Sequence, residues 1–341
     1  MESLLSVLRP RKLIRHWLNE SGAIETKNLM LYDTIIIGAS AAGMSGAIYL
    51  KRRGVNFLLE AKDIGGEMAL SGEIENYPGI PSTNGIDLTQ KFKEHLKKYS
   101  VPIEEATEVK NIIQTEKLFA VETVKNGQNV TDEGKTIIIA TGSTPRKLNI
   151  AGEVEFYHKG VSYCTVCDGP TLSGQPVAII GGGNSALEAG LMMSALSPRV
   201  YILTKNNKMK GDTVLINELG KKENAEIIYN AQTREIFGQG FVKGLRYLDL
   251  KTNQAKELSV EGVFIHIGLQ PNSDFIPAEL NIKNQFGEVS VNKLCQTSVP
   301  GLLAAGDVTD IPYKQIGIAV GQGITAALSA ISYLNSTPAS I

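Results

Sequence analysis

The sequence predicts an α/β protein with two parallel-sheet units, because one pattern of residues occurs twice along the chain. In each copy an apolar, β-branched run leads into a glycine-rich turn and then into small residues typical of a helix. The copies span residues 32–50 and 176–193, and a second apolar run follows each of them. This order is typical of a Rossmann-like, three-layer dinucleotide-binding domain, so the sequence predicts two such domains.

The length and composition of the chain agree with a two-domain protein. Its 341 residues are 43% hydrophobic, and a net charge of −1 gives no basic field for nucleic acid. The longest apolar runs, such as 136–140, are much shorter than the roughly 18 residues of a membrane span. Three cysteines form no disulfide scaffold, which indicates a reducing compartment. We therefore expect a cytoplasmic protein with no nucleic-acid or membrane partner.

The first 30 residues differ from the rest of the chain. They combine leucines and the single tryptophan, Trp17, with a cluster of basic residues formed by Arg9, Arg11, Lys12 and Arg15. A basic amphipathic helix and an Arg-rich transit peptide both fit this composition, but acidic residues such as Glu20 are unusual in a targeting peptide. We expect residues 1–30 to be a poorly ordered or loosely docked N-terminal extension.

The first glycine turn spans residues 38–43. Unpaired backbone N–H groups at the start of the following helix can hold a pyrophosphate, although Ser40 replaces the second glycine of the usual fingerprint. The strand over 55–60 ends at Glu60, 22 residues after Gly38, which is the spacing of a carboxylate that binds a ribose hydroxyl. The alternative is that Glu60 is an ordinary acid at a strand end.

The second glycine turn, at residues 181–186, matches the pattern GxGxxA. The strand after it spans residues 199–203 and is followed by Thr204, so no acid stands at the ribose position. Two dinucleotides that exchange electrons would be FAD and a nicotinamide nucleotide.

A CxxC pair, Cys164 and Cys167, lies between the two turns. Zinc would need about four ligands, and beyond this pair the chain offers one more cysteine and four histidines. A staple across two residues would stabilise the fold little. Redox exchange is favoured, because a helix start and a CxxC spacing both lower thiol pKa values. Asp168, directly after the pair, is either a capping or turn residue or the group that donates and accepts protons.

Several motifs together resemble a known family. They are GVSYCTVCDG, GGGNSALEA, Gly65-Gly66-Glu67, and the segments 74–79, 140–142, 267–272, 304–308 and 312–316. They resemble the low-molecular-weight thioredoxin reductases, which are FAD-dependent pyridine nucleotide-disulfide oxidoreductases. The similarity is closest to the C-terminal reductase part of the alkyl hydroperoxide reductase flavoprotein subunit. That subunit has its own N-terminal dithiol domain, which 30 residues cannot supply, so we expect the disulfide partner to be a separate protein.

The resemblance implies a nicotinamide domain at 146–270, carrying the CxxC, inserted into an FAD domain at 31–145 and 271–341. The residues it implies for FAD are Gly38, Ser40, Gly43, Glu60, Gly66, Glu67, Asn76, Val109, Thr141, Gly142, Gly306, Asp307, Lys314, Gln315 and Ile316. Those for NADH or NADPH are Gly181, Gly183, Asn184, Ser185, Ala186, Glu188, Thr204, Lys205 and Lys210.

The resemblance also implies an activity. Electrons would pass from NADH or NADPH through FAD and Cys164/Cys167 to a thioredoxin- or glutaredoxin-like dithiol protein, in a homodimer. It favours Cys167 as the thiol nearest the flavin and Cys164 as the attacker, with a domain rotation hinged near Ser143 and Pro271. A ferredoxin donor and a flavin-binding redox sensor without turnover remain as alternatives. We expect the third cysteine, Cys295, to be buried and structural.

The expected electron donor follows from a departure from that family. Where thioredoxin reductases carry His-Arg-Arg and a further Arg for the 2′-phosphate of NADPH, this chain has Thr204, Lys205, Asn206 and Lys210. Arginine binds phosphate through two hydrogen bonds, whereas lysine is a point charge. We expect weak discrimination between the two nucleotides with a preference for NADH. The alternative is that the lysines still hold the phosphate.

Overall fold

The structure, a computed structural model, describes residues 11–18 and 24–336. Its strands are β1 (Arg11–Leu18), β2 (Ile24–Ala39), β3 (Phe57–Ile64), β4 (Glu73–Ile74), β5 (Thr83–Asn84), β6 (Ile103–Glu104), β7 (Thr107–Gln114), β8 (Phe119–Lys125), β9 (Gln128–Ile139), β10 (Ser143–Pro145), β11 (Val161–Ser162), β12 (Val177–Ile180), β13 (Val200–Leu203), β14 (Ala225–Ile228), β15 (Ala231–Gln239), β16 (Phe241–Asp249), β17 (Gln254–Leu258), β18 (Gly262–Ile265), β19 (Leu269–Pro271) and β20 (Leu302–Ala304). Its α-helices are α1 (Ala41–Arg52), α2 (Gly66–Leu70), α3 (Gly85–Lys98), α4 (Thr165–Asp168), α5 (Asn184–Ser194), α6 (Thr213–Gly220) and α7 (Ile316–Ser336).

The chain forms two compact units, and the second interrupts the first. The first unit consists of three segments, which are the chain up to Ser71, Tyr77–Thr144 and the chain from Gln270 onwards. The second consists of Gly72–Asn76 and Pro145–Leu269. The two connecting segments, β10 and β19, pair as a short ribbon. The predicted hinge residues, Ser143 and Pro271, belong to these two strands, and the rotation itself stays a prediction.

The first unit contains an eight-stranded mixed sheet. Strands β6, β3, β2, β9 and β20 run parallel, while β7 and β8 continue from β9 as an antiparallel meander. The apolar residues of β2 and β9 alternate between the two faces. Ile35 and Ile137 join the core shared with the meander and with the segment that contains β20. Helix α1 packs against both α3 and α7 and faces Ile36 of β2, so these helices form one layer beside the sheet. The opposite face of the sheet packs against the meander and the segment that contains β20, which form the other layer.

The second unit contains a five-stranded parallel sheet in the order β11-β18-β12-β13-β14. Strand β12 shows why it is a central strand, because all four of its residues are buried and they alternate between two cores. Val177 and Ile179 pack with α5 and α6, while Ala178 and Ile180 pack with the antiparallel sheet β15-β16-β17. Both units therefore confirm the predicted three-layer α/β fold class.

The N-terminal region has structure that the sequence did not predict. Strand β1 pairs antiparallel with the first part of β2, from Arg11 opposite Leu31 to Leu18 opposite Ile24. Part of the expected loose extension is therefore a hairpin joined to the first strand of the sheet. The prediction for residues 1–10 and 19–23 falls outside the described residues.

Among the described residues, α7 is the one helix long and apolar enough to cross a membrane. It is also a packing element of the first unit. A Cβ on Gly323 of α7 would lie 2.0 Å from the carbonyl oxygen of Ala42, and one on Gly46 of α1 would lie 2.9 Å from the carbonyl oxygen of Gly323. The two helices cross at these glycines, and core helices of soluble proteins can be as long and as apolar as α7.

Candidate functional site

The two cysteines of the CxxC motif lie at the start of a one-turn helix in the second unit. Cys164 is the N-cap of α4, and the structure joins it to Cys167 as a disulfide with Cα atoms 5.3 Å apart. The backbone N–H of Cys167 donates a hydrogen bond to the Cys164 sulfur at 3.2 Å. Since α4 has four residues, this single N–H, and not a long helix dipole, is the group positioned to stabilise negative charge on that sulfur.

Asp168 is tied to the cysteine loop through a serine. Ser162 donates from Oγ to Oδ2 of Asp168 at 2.5 Å, and the same Oγ accepts a hydrogen bond from the backbone N–H of Cys164 at 3.0 Å. The carboxylate is therefore fixed close to the disulfide. This arrangement is compatible with both interpretations of Asp168, as a proton-transfer group and as a residue that stabilises the turn.

The first of the two residues between the cysteines is anchored as well. Thr165 is buried, and its hydroxyl is hydrogen-bonded to Nε2 of His266 at 2.6 Å. His266 directly follows β18, and burial lowers the pKa of its imidazole to about 4. The ring is therefore neutral at pH 7.

The first glycine turn brings β2, α1 and β9 into close contact. Gly38 has φ +108°, and a Cβ there would lie 2.3 Å from the carbonyl oxygen of Ala140. A Cβ on Gly43 would lie 1.8 Å from the carbonyl oxygen of Gly38. Ser40 is the N-cap of α1, but its hydroxyl donates to the carbonyl of Gly65 at 2.6 Å and does not cap the helix. The first N–H groups of α1 therefore remain available to an anion.

Glu60 lies next to a second carboxyl group, that of Asp132, which the sequence did not predict. It is 1% exposed, hydrogen-bonds to Asp132 of β9, and has no partner for Oε2 among the described residues. Burial, and next the neighbouring Asp132, raise the pKa of Glu60 to about 8. The pKa of Asp132 is raised by burial, with Lys125 acting in the opposite direction. Burial and the same two carboxyl groups raise the pKa of nearby Tyr32 to about 12.

A cleft of about 640 Å³ lies at this end of the first unit's sheet. Six of the residues predicted for FAD line it: Gly38, Ser40, Glu60, Gly66, Val109 and Thr141. The lining also includes residues that the prediction left out, among them Lys62, Asp63, Thr107, Asn272, Asp274 and Phe275. Of these, Asn272 belongs to the segment 267–272, one of the motifs named from the sequence. Its backbone carbonyl accepts from the Thr141 hydroxyl at 2.7 Å, and its side-chain amide donates to the Thr141 carbonyl at 2.9 Å.

The other residues predicted for FAD do not line that cleft. Gly43 lies inside α1, Gly142 follows Thr141, Glu67 is in the first turn of α2, and Asn76 belongs to the second unit. Gly306 has φ +79° and approaches Ala42, so the segment around Asp307 lies near the start of α1. Burial raises the pKa of Asp307, and Lys314 opposes this shift. Gln315 and Ile316 lie at the start of α7.

Lys314 is held by two groups of the first unit. Its ammonium donates to the carbonyl of Thr309 and forms an ion pair with Glu288 at 3.2 Å. The lysine is largely buried, so its position is fixed by this pair.

The second glycine turn is built from β12, α5 and the end of β18. A Cβ on Gly181 would lie 2.3 Å from the carbonyl oxygen of His266, whereas a Cβ on Gly183 would meet nothing within 4 Å. The side chain of Asn184 donates to Asp212 at 2.9 Å and accepts from the Asp212 N–H at 2.8 Å. Ala186 is buried, while Ser185 and Glu188 are exposed on α5.

The residues at the expected ribose and phosphate positions follow β13. Thr204 is 4% exposed, and its hydroxyl accepts a hydrogen bond from the backbone N–H of Asn206 at 3.3 Å. The backbone N–H of Lys210 donates to the carbonyl of Gly182 at 2.7 Å, which ties this segment to the turn. The side chains of Lys205 and Lys210 are exposed.

Cys295 belongs to the first unit, whereas the redox pair belongs to the second. It is 3% exposed, its sulfur contacts the carbonyl of Gln322 at 3.6 Å, and burial raises the pKa of its thiol to about 11. The prediction that Cys295 is buried is confirmed. Within the described residues, no group of three or more His, Cys, Asp or Glu could hold a metal ion.

Comparison with known proteins identifies the family. The family model described as "Pyridine nucleotide-disulphide oxidoreductase" matches residues 32–323. The chain belongs to this family. A solved structure of thioredoxin reductase from Streptococcus pyogenes MGAS5005 superposes with a TM-score of 0.83 at 31% identity, covering 90% of this chain and 99% of that one. The resemblance stated from the motifs is confirmed.

Two curated relatives carry different names. An NADH dehydrogenase of Bacillus subtilis strain 168 is 39% identical over 303 residues, which cover 89% of this chain and 58% of the relative. An alkyl hydroperoxide reductase subunit of Escherichia coli K12 is 37% identical over 307 residues, which cover 90% of this chain and 59% of that protein. The chain therefore spans less than two thirds of the length of these relatives.

The family and its thioredoxin reductase neighbours imply FAD and NAD(P)H as cofactors, and the residues present fit both groups. For FAD, the unpaired Oε2 of Glu60 is a buried acceptor at the edge of a cleft, where a sugar hydroxyl would satisfy it. For the nicotinamide nucleotide, Gly183 leaves open space beside the start of α5. Both sites have the strand, glycine turn and helix start that bind a pyrophosphate.

Proposed function

We propose that this chain is an FAD-dependent NAD(P)H:protein-disulfide oxidoreductase that reduces a thioredoxin- or glutaredoxin-like dithiol protein. The observation that carries the proposal is the Cys164–Cys167 disulfide, held beside Asp168 in the unit that contains the second glycine turn. A family member that only passed electrons between nucleotides would need no such pair. The residues predicted for FAD and for NAD(P)H keep the roles assigned from the sequence.

Bound FAD would supply the chemistry that carries two electrons from the nicotinamide nucleotide to the disulfide. The chain's own residues then act as follows. Two electrons break the Cys164–Cys167 bond, and Asp168 exchanges a proton with the sulfur groups. The Cys164 sulfur attacks one sulfur of the partner's disulfide, which forms a mixed disulfide and releases one partner thiolate. Cys167 then attacks Cys164, re-forms the original disulfide and releases the second partner thiolate.

The hydrogen bond from the Cys167 N–H to the Cys164 sulfur supports this assignment of roles. A thiolate that accepts a hydrogen bond is favoured over the thiol, and the thiolate is the nucleophile. Cys164 is therefore the attacking sulfur in the proposal, and Cys167 is the resolving one.

The decisive experiment is an anaerobic titration with NADH, followed by flavin absorbance. The wild-type protein should take up two electron pairs per flavin, one for the flavin and one for the disulfide. Cys164→Ser and Cys167→Ser should each take up one pair and lose all reduction of a dithiol protein. Cys295→Ala is the matched control and should behave as wild type. If the wild-type protein takes up a single electron pair, its disulfide is not reduced through the flavin, and the proposed function is wrong.

The same titration separates the alternative donors. If the flavin stays oxidised with both nucleotides but is reduced by ferredoxin, the donor in the proposal is ferredoxin and not a nicotinamide nucleotide. Reduction by NADH without turnover of any dithiol protein would favour a redox sensor. The name of the Bacillus subtilis relative supports NADH as the donor.

We infer two further properties from the family resemblance. The chain is expected to form a homodimer, which light scattering on the purified protein would test. It is expected to act in the cytoplasm, where thiols stay reduced, and fractionation of cells would test this.

A further inference from the structure

His266 links the glycine turn of the second unit to its CxxC loop. Its backbone N–H donates to the carbonyl of Ile180 at 2.8 Å, immediately before the turn. Its carbonyl oxygen is the atom that a Cβ on Gly181 would meet. Its imidazole reaches Thr165, which lies between the two cysteines. The end of β18 therefore anchors the CxxC loop.

We propose that His266 is a positioning residue for the redox couple. Its hydrogen bond to the Thr165 hydroxyl holds the first turn of α4 in the arrangement in which the Cys167 N–H reaches the Cys164 sulfur. The inference rests on the proposed function in one respect, namely that Cys164 and Cys167 cycle between disulfide and dithiol.

The burial of Thr165 explains why this hydrogen bond matters. Thr165 is 3% exposed, so a hydroxyl that lost its histidine partner would stay out of reach of water. The residue would then have to move to find another partner, and Cys164 and Cys167 are bonded to it directly or through one residue. A 3.2 Å N–H to sulfur contact is easily lost by such a movement.

The helical turn of α4 is closed by its own backbone, without the side chain of His266. The carbonyl oxygen of Thr165 accepts from the backbone N–H of Gly169 at 2.8 Å, which closes the helical turn itself. The bond to His266 ties this turn to the end of β18, whereas Ser162 of β11 holds it through Asp168 and Cys164. Removing the bond to His266 leaves the turn formed and held by Ser162, but takes away its side-chain anchor at Thr165.

The test compares the reactivity of Cys164 in purified holoenzyme variants. Each protein is reduced with dithiothreitol, freed of reductant under argon and alkylated with iodoacetamide at pH 7, and the rate at Cys164 is read by peptide mass spectrometry. Thr165→Val keeps the shape of the side chain and removes the hydroxyl. His266→Ala removes the partner. Each should slow alkylation roughly two- to tenfold, the effect of one lost hydrogen bond.

Conservative variants separate positioning from a general structural role. Thr165→Ser keeps the hydroxyl and His266→Gln keeps a polar group at the same reach, so both should stay within about twofold of wild type. The double variant Thr165→Val/His266→Ala should be no slower than either single variant, because the two residues share one interaction. Thr233→Val, another buried threonine of the same unit, is the matched control and should leave the rate unchanged.

A second readout is the equilibrium between dithiol and disulfide in glutathione buffers. A less stable Cys164 thiolate should move the equilibrium constant toward the disulfide by a factor similar to the alkylation effect. The proposal is overturned if Thr165→Val reacts at the wild-type rate, or if Thr165→Ser is as slow as Thr165→Val. Both measurements use a chemical reductant and no nucleotide or partner. The positioning role of His266 can therefore be wrong while the electron-uptake test supports the proposed function. The proposed function can likewise be wrong while the alkylation test supports the positioning role.

Discussion

Two glycine turns, one in each unit, follow the same order of strand, turn and helix, yet different residues stand at the end of the next strand. In the first unit this residue is Glu60, a buried carboxyl with one unpaired oxygen. In the second it is Thr204, a buried hydroxyl already engaged by Asn206. The turn provides a place for a pyrophosphate in both units. We expect the residue at the end of the following strand to recognise a ribose, and only the first unit has a carboxyl group at that position.

The turns also differ in how closely helix and strand approach. At the third fingerprint position the first unit has Gly43, where a Cβ would lie 1.8 Å from a carbonyl oxygen. The second unit has Ala186 at the same position, and its Cβ is accommodated in the core. The first turn therefore depends more strictly on glycine than the second does.

The largest expected effect comes from breaking the tighter turn. Gly43→Ala forces α1 away from β2 because the new methyl group would overlap the Gly38 carbonyl oxygen. We expect loss of most bound FAD and a fall of about 1–3 kcal/mol in the free energy of unfolding, typical of overpacking. Flavin content per protein and urea unfolding measure the two effects.

The control for that prediction comes from the second turn. Gly183→Ala adds a methyl group where nothing lies within 4 Å, and its φ of −105° suits any residue. It should leave both flavin content and unfolding unchanged. Equal losses in the two variants would show that the turns do not differ in this way.

A smaller effect is expected at the ribose position of the first unit. Glu60→Gln keeps the size of the side chain and removes a carboxylate acceptor. Above pH 8 Glu60 is a carboxylate, and a hydrogen bond to a charged group contributes about 1.5–3 kcal/mol. At such a pH the variant apoprotein should therefore bind FAD roughly 10- to 100-fold more weakly than the wild type. Fluorescence titration with FAD measures this. Glu105→Gln, on the exposed surface of the same unit, should bind FAD as wild type does.

The same variant should change how the stability of the FAD-free protein depends on pH. The pKa of Glu60 is about 8 in the folded chain against an ordinary value of 4.5. Between these pH values the folded chain keeps a proton that the unfolded chain has lost, so stability falls as the pH rises from 4.5 to 8. Glu60→Gln should flatten this decline. Urea unfolding at several pH values checks it, and an unchanged slope would contradict the raised pKa.

The smallest effect is expected at the second turn, where the phosphate position holds exposed lysines. Lys205→Ala/Lys210→Ala should lower kcat/KM for NADPH by about two- to fivefold and change the value for NADH by less than about twofold, since exposed ion pairs contribute little. Lys222→Ala, exposed in the same unit, is the control. A wild-type preference for NADPH above roughly 100-fold would contradict the expected weak discrimination.

Local patterns in the sequence predicted the parts of the site that depend on local structure. The turn at Gly38, the acid at Glu60 and the pair Cys164/Cys167 are each recognisable within a few residues. Contacts made by distant segments could not be predicted in this way. Asp132 of β9 meets Glu60 of β3, a residue far from it in the sequence, and Thr165 meets His266 across 101 positions of sequence. Asp132 lies in none of the sequence motifs, and His266 precedes the segment 267–272 without being part of it.

The N-terminal hairpin shows a second limit of sequence reasoning. Residues 11–18 carry no clear alternation of apolar and polar residues, and they form a strand only because β2 extends far enough to pair with them. The pairing of β1 depends on the tertiary position of its neighbour more than on its own composition.

The interruption of the first unit by the second also determines the order in which the chain can fold during synthesis. Strand β20 pairs with β9 and α7 packs against α1, yet both emerge from the ribosome after the whole second unit. Domains fold as units while the chain is being made. A ribosome paused after Leu269 would carry a complete second unit and a first unit whose Ile137 and Ile139 still lack Leu302 and Ala304. The first unit would then be the part of the nascent chain that exposes core residues until synthesis ends.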